Sequence, residues 1–227
     1  MIEIISATRL SQEDFWSRSA LGLSLKRLTG DKRLVPHIAF ANQRGLPDVF
    51  NERVQAAQGD DLLVFVHDDV WLDDFFLADR LLDGLRVFDV IGVAGTRRRL
   101  KGQPAWLFAG RNAQGKFVWD KAFLSGAVGH GARPFGTLSH FGPVPAACEL
   151  VDGVFMAVRR SVLVGAGVAF DPRFKFHFYD MDFCRSIRAA GLRLGTWPIA
   201  LTHQSGGAFG TPTWEQALAL YRNKWPD

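Results

Sequence analysis

Along the first 95 residues the hydrophobic and polar positions alternate between two rhythms. Short, mostly apolar runs fall at 2–7 (IEIISA), 35–42 (VPHIAFAN), 61–67 (DLLVFVH) and 90–95 (VIGVAG). Each has the length of a strand, and their apolar positions do not alternate, as burial on both faces requires. Between them lie segments with helical spacing. One spans 12–28 and carries Phe15, Ala20, Leu23 and Leu28. A second spans 47–58, opened by Pro47 and Asp48 and ended by Gly59, and a third spans 76–88. Strands alternating with helices predict a mostly parallel, doubly wound α/β sheet flanked by helices.

The pattern fades over about 96–150, which is rich in Gly, Pro and aromatic residues. A long, ordered but irregular insertion, able to shape a pocket, is expected there. Alternation resumes with a strand at 151–160, a helix from about Met181 ended by Gly191, a last strand at 193–204 and a helix at 213–225. No internal repeat and no linker interrupts the chain. With 227 residues, 48% of them hydrophobic, it is long enough to bury one sizeable core. A single domain over 1–227 is expected.

Charge narrows the partners. The formal net charge is +4 and the pI about 9.3. The basic residues are scattered, apart from Arg97, Arg98, Arg99 and Lys101. That is too mild for a nucleic-acid binder, but it suits an anionic small substrate or a phosphate-rich membrane surface. The four clustered cations read as a solvated loop or as phosphate contacts. Cys148 and Cys184 form neither a CxxC pair nor a disulfide framework, which favours a reducing compartment. No apolar run approaches the ~20 residues of a membrane span, and the start of the chain lacks the apolar core of a signal peptide. These features predict a soluble, cytoplasmic protein.

Three short stretches carry candidate chemistry. The apolar run LLVFV drives straight into His67, Asp68 and Asp69. Adjacent carboxylates resist burial, and ligands of open α/β sheets bind at the carboxyl ends of strands. A divalent ion such as Mg²⁺ or Mn²⁺ would hold such a group together; an Asp turn after a strand explains it equally well. In FHFYDMDF, Asp180 and Asp182 fall at a helix start, where Asp is a favoured cap. The aromatic flank would also desolvate a carboxylate and raise its pKa, as a general base needs. His203 ends a strand before Gly206-Gly207 and gains weight only if it meets Asp69 in space.

The order of strand-HDDV, VDGVFMAVRRSVL, FDPRFKFHFYDMDFCRS and LTHQSGG resembles the GT-A glycosyltransferases, in particular the inverting family-two type and its small bacterial branch. The resemblance covers nearly the whole chain and is weakest over 96–150. It implies a Rossmann-like GT-A sheet with a nucleotide-binding half (1–95) and an acceptor and catalytic half (96–227). It implies a metal at Asp69 with His203, and His67 where the family's first acid stands. Asp68 falls near the ribose or metal. Asp180 matches the catalytic base, with Tyr179 in place of the preceding Glu on the acceptor side. Ser6, Ala7 and Thr8 fall where the family wraps the nucleoside, and Asn42 where it reads the base. Asp152 falls on the acceptor side, and Asn51 in the helix before the metal triplet. Trp106 and Trp119 offer faces for a sugar ring or for core packing.

The resemblance therefore implies a metal-dependent, inverting transfer from a nucleotide-diphosphate sugar to a glycan, lipid-linked or small-molecule acceptor. Surface-glycan synthesis, with peripheral contact at the inner membrane face, fits that role. The departures at His67 and Tyr179 leave a second reading, a degenerate domain that binds nucleotide sugar or glycan without turnover. An HD-type phosphohydrolase fits poorly, because the His-Asp pair closes a strand. A nucleotidyltransferase fits poorly, because SATRLSQED is not a glycine-rich phosphate loop.

Overall fold

The computed structural model describes residues 1–226. In chain order the elements are β1 (Ile2–Ala7), α1 (Gln12–Arg18), α2 (Ala20–Arg27), β2 (Leu34–Ala39), α3 (Leu46–Ala56), β3 (Leu62–Val66), β4 (Val70–Leu72), α4 (Leu77–Val87), β5 (Val90–Gly92) and β6 (Ala94–Thr96). Then follow β7 (Phe108–Arg111), β8 (Phe117–Trp119), β9 (Leu124–His130), β10 (Thr137–Gly142), β11 (Ala146–Ala147), β12 (Leu150–Val151), β13 (Phe155–Arg159), α5 (Arg160–Ala166), α6 (Tyr179–Ala189), β14 (Leu194–Thr196), β15 (Leu201–His203) and α7 (Pro212–Lys224).

Seven strands form the main sheet in the order β11-β14-β5-β13-β3-β1-β2. β1, β2 and β3 run parallel, as do β5 and β14, while β13 runs antiparallel between β3 and β5. All five residues of β3 are buried, which is why its sequence shows no alternation. A second sheet, β12-β6-β9-β15-β4 with β10 on β9, abuts the first.

Several expected elements divide. The helix expected over 12–28 is two helices, because the Ser19 backbone is extended and its hydroxyl accepts from the Gly22 N–H to start α2. The strand expected over 90–95 is two strands, which leave the main sheet for the second at Val93. The strand expected over 193–204 divides between the sheets in the same way. The expected irregular insertion is instead rich in strands: β9 and β10 pair across it and build the centre of the second sheet. Its glycines explain why a pattern reading missed this. A Cβ on Gly126 would stand 2.0 Å from the Val93 carbonyl oxygen, and one on Gly129 2.6 Å from the Thr202 hydroxyl. Close backbone approach, not an apolar stripe, holds these strands together.

The sheet connections bring distant motifs to one place. The start of β13 lies beside the end of β3, with Phe155 opposite Val66 and the His67 N–H donating to the Val154 carbonyl at 3.2 Å. β15 pairs with β4 so that His203 lies opposite Val70, and the Gln204 N–H donates to the Asp69 carbonyl at 3.0 Å. Among the described residues no helix is long and apolar enough to cross a membrane.

Candidate active site

A cleft of about 680 Å³ opens where β1 and β3 end, β13 starts and the second sheet begins. Ala7, His67, Asp68, Asp69, Asp152 and His203 line it, as do Tyr179, Asp180, Trp106 and Trp119. Most residues singled out from the sequence therefore share one cavity, although they come from seven separate places along the chain.

On one side His203 Nε2 stands 3.2 Å from Asp69 Oδ1 and 3.0 Å from the Ser205 hydroxyl. Potential ligand atoms of His67, Asp69 and His203 all lie within 4.8 Å of one another. Burial pushes the Asp69 carboxyl up, but the hydrogen bond and charge of His203 more than offset this and hold it at about 2. Burial likewise pushes His203 down, and Asp69 brings it back above its ordinary value. Burial lowers the pKa of His67, so its neutral, metal-ligating form is favoured. Two imidazoles and an ionised carboxylate fit a divalent ion by the chemistry of their donors.

On the other side Asp180 opens α6. Its Oδ2 accepts from the Gly153 N–H at 3.0 Å and its Oδ1 from the Met181 N–H at 2.8 Å. Burial, and then the nearby Asp152 charge, raise this carboxyl to about 7, against the opposing pull of those two N–H groups. Gly153 is required here, because a Cβ would stand 2.4 Å from the Tyr179 hydroxyl and 2.8 Å from Asp180 Cβ. Phe178, just before the helix, holds a left-handed φ of 66° with its ring buried against Trp214 and Tyr221. A non-glycine residue in that region stores strain of the kind found at functional sites.

Other expected residues fall elsewhere. Ser6 and Thr8 are buried behind Ala7, and the Thr8 hydroxyl accepts from the Leu10 N–H. Asn42 lies past the end of β2, outside the cleft lining, and its side chain is closed in a turn with the Arg44 backbone. Asp152 lines the cleft, with Oδ1 accepting from the Val154 N–H. Tyr179 needs a correction. It is 2% exposed and its hydroxyl is engaged by His67 and Gly153, so it supports the wall rather than meeting an acceptor. Trp106 is also buried, packed edge-on against Phe141, whereas Trp119 is 47% exposed. Arg97 donates to the Ala122 carbonyl, Arg98 pairs with Asp120 through two hydrogen bonds, and none of the four clustered cations lines the cleft. Asn51 clamps the backbone of Phe170, and the buried Asp182 is bound by Trp225 and Lys224, both structural tasks.

Among the cleft residues that pattern reading did not assign to the site, two stand beside the metal-ligating group or on the second sheet. Phe176 is 55% exposed and stacks on His67 at 5.9 Å, and His130 enters from β9. The exposed ring belongs to the aromatic flank FHFY already visible in the sequence. His130 carried no signal, because its neighbours are glycines.

No protein-family model and no curated protein sequence matches the chain. Among solved structures it is similar to S. aureus TarS 1–349 in complex with UDP-GlcNAc, at 11% identity and a TM-score of 0.50, over 96% of this chain and 65% of that one. It is also similar to GalNAc-T7 with UDP, GalNAc and Mn²⁺, at 11% identity and a TM-score of 0.50, over 93% of this chain and 45% of that one. The chain thus spans less than two thirds of either. At such identity the likeness concerns the fold: a mixed α/β sheet flanked by helices, with the GT-A architecture.

Proposed function

We propose that the chain, as one GT-A unit of the family-two-like kind, moves a sugar from a nucleotide-diphosphate donor to an acceptor hydroxyl with inversion. One observation carries this reading: a His-Asp-His group and a carboxyl raised to about 7 face the same cleft. His67, Asp69 and His203 would hold a divalent ion. Their two nitrogens and one carboxylate suit Mn²⁺ better than Mg²⁺, which prefers oxygen ligands. When bound, such an ion supplies Lewis-acid neutralisation of the leaving diphosphate.

The other tasks belong to the chain's own residues. Asp180 takes the proton of the acceptor hydroxyl while that oxygen bonds to the anomeric carbon and the bond to the diphosphate oxygen breaks. Because its pKa is near neutral, it is both populated as a base and strong enough to accept the proton. Gly153 and Met181 fix the direction of its oxygens. Ala7 leaves room for the nucleoside at the end of β1. The exposed faces of Trp119 and Phe176 suit the C–H face of a sugar ring. A glycan, lipid-linked or small-molecule hydroxyl would enter on the Asp152 side.

Calorimetric titration of UDP, GDP and TDP, with Mn²⁺ and with EDTA, tests the reading. Binding of one of them only with Mn²⁺ is expected. No binding by the folded protein would remove the proposal. Tight binding with no turnover of any corresponding nucleotide sugar would favour a domain that binds without catalysing.

A further inference from the structure

We infer that Tyr179 is a positioning residue for the metal seat: its hydroxyl sets the tautomer and ring orientation of His67, so that Nδ1 is the nitrogen offered to the ion. The inference rests on the metal site proposed above. It begins from a count of protons. The Tyr179 hydroxyl lies 2.8 Å from the Gly153 carbonyl oxygen and 2.8 Å from His67 Nε2. A phenol has one proton, and a carbonyl can only accept. The proton therefore goes to Gly153, and the phenol oxygen accepts from His67. His67 must then carry its own proton on Nε2, which leaves the lone pair on Nδ1.

The environment locks this arrangement. Tyr179 is 2% exposed, and its ring packs against Phe50 and Phe170. Phe176 stacks on the other part of the site, parallel to the His67 ring within 25°. Metal-ligating histidines gain affinity when the second ring nitrogen is held by such a partner, and losing the partner costs about 10–100-fold. Gly153 extends the linkage. Its carbonyl accepts the Tyr179 hydrogen bond while its N–H donates to Asp180, so one residue fixes both sides of the cleft.

Tyr179→Phe keeps the ring and removes the hydroxyl. Binding of Mn²⁺ alone to the full chain, followed by electron paramagnetic resonance of the free ion, should weaken about 10–100-fold. The circular dichroism spectrum and the thermal melt in EDTA should not change. Equal Mn²⁺ affinity in both proteins would overturn the inference and leave the proposed function standing. No Mn²⁺ binding by the unaltered chain would overturn both. A second measurement needs no variant: ¹⁵N NMR of the metal-free chain should find His67 protonated on Nε2, and protonation on Nδ1 would overturn the assignment even if Tyr179→Phe failed to fold.

Discussion

Asp69 and Asp180 face one cleft, and burial pushes both carboxyls upward, yet they end at about 2 and about 7. The difference lies in their neighbours. Asp69 has His203 at 3.2 Å, and a cationic partner favours the ionised form. Asp180 has Asp152 nearby, a like charge that adds to the cost of burial, and backbone N–H groups, without a cation, to offset it. One residue type is thus held as an anion on one wall and carries a near-neutral pKa on the other. Pairs of titratable groups driven apart in this way mark acid–base assignments.

The largest effect should come from removing the proton acceptor. Asp180→Asn is expected to lower transfer by roughly 10²–10⁴-fold while Mn²⁺-dependent nucleotide binding persists. In the unaltered chain, the kcat/KM of the proposed transfer should climb about tenfold per pH unit below pH 7 and level off above it, since only the ionised form accepts a proton. Stability supplies the sign check. The folded carboxyl titrates near 7 and the unfolded one near 3.8, so the folded state holds the extra proton between them and stability falls as pH rises through that window. Thermal melts at pH 5 and pH 8 should therefore show Asp180→Asn gaining on the parent at the higher pH. An active variant with an unchanged pH profile would reduce Asp180 to a helix-start residue.

Asp69→Ala attacks the opposite wall. Mn²⁺ affinity should fall by more than the roughly 10–100-fold that losing a partner behind a metal ligand costs, and turnover should fall with it. Mn²⁺-dependent nucleotide binding is expected to be lost with it, while the circular dichroism spectrum stays that of the parent. If calorimetry found Mn²⁺ binding intact, the low pKa of Asp69 would reflect an ion pair with His203 and nothing more.

The smallest effect is expected outside the cleft. Asn42→Ala should leave nucleotide affinity unchanged, because the Asn42 side chain is closed on Arg44 and does not line the cavity. A change in preference among UDP, GDP and TDP in the titration would instead place this turn against the base and widen the site beyond the two walls.

Much of this was legible in the chain. The run LLVFV announced a fully buried strand, and HDD at its end announced a polar turn at the carboxyl edge of the sheet, because apolar continuity and charge are local properties. The β-α-β-α-β order of the first half followed from the same local patterns. The aromatic flank of Asp180 announced desolvation. Other features were not local. Strands β6 and β15 are three residues each, and the seven-residue β9 is interrupted by Gly126 and Gly129, so no periodic stripe marks them, and the second sheet was hidden. Pairing across the fold, Phe155 with Val66 and His203 with Val70, decided which motifs would meet. It also decided that Tyr179 would turn its hydroxyl to His67 and Gly153 instead of the acceptor, and that the clustered arginines would stay out of the cleft. The sequence by itself determined which residues have the chemistry, because ligand type and proton affinity begin with the side chain. Only the tertiary structure decided which of them share a cavity and which way their pKa values move, because burial and neighbouring charge exist only after distant strands have paired.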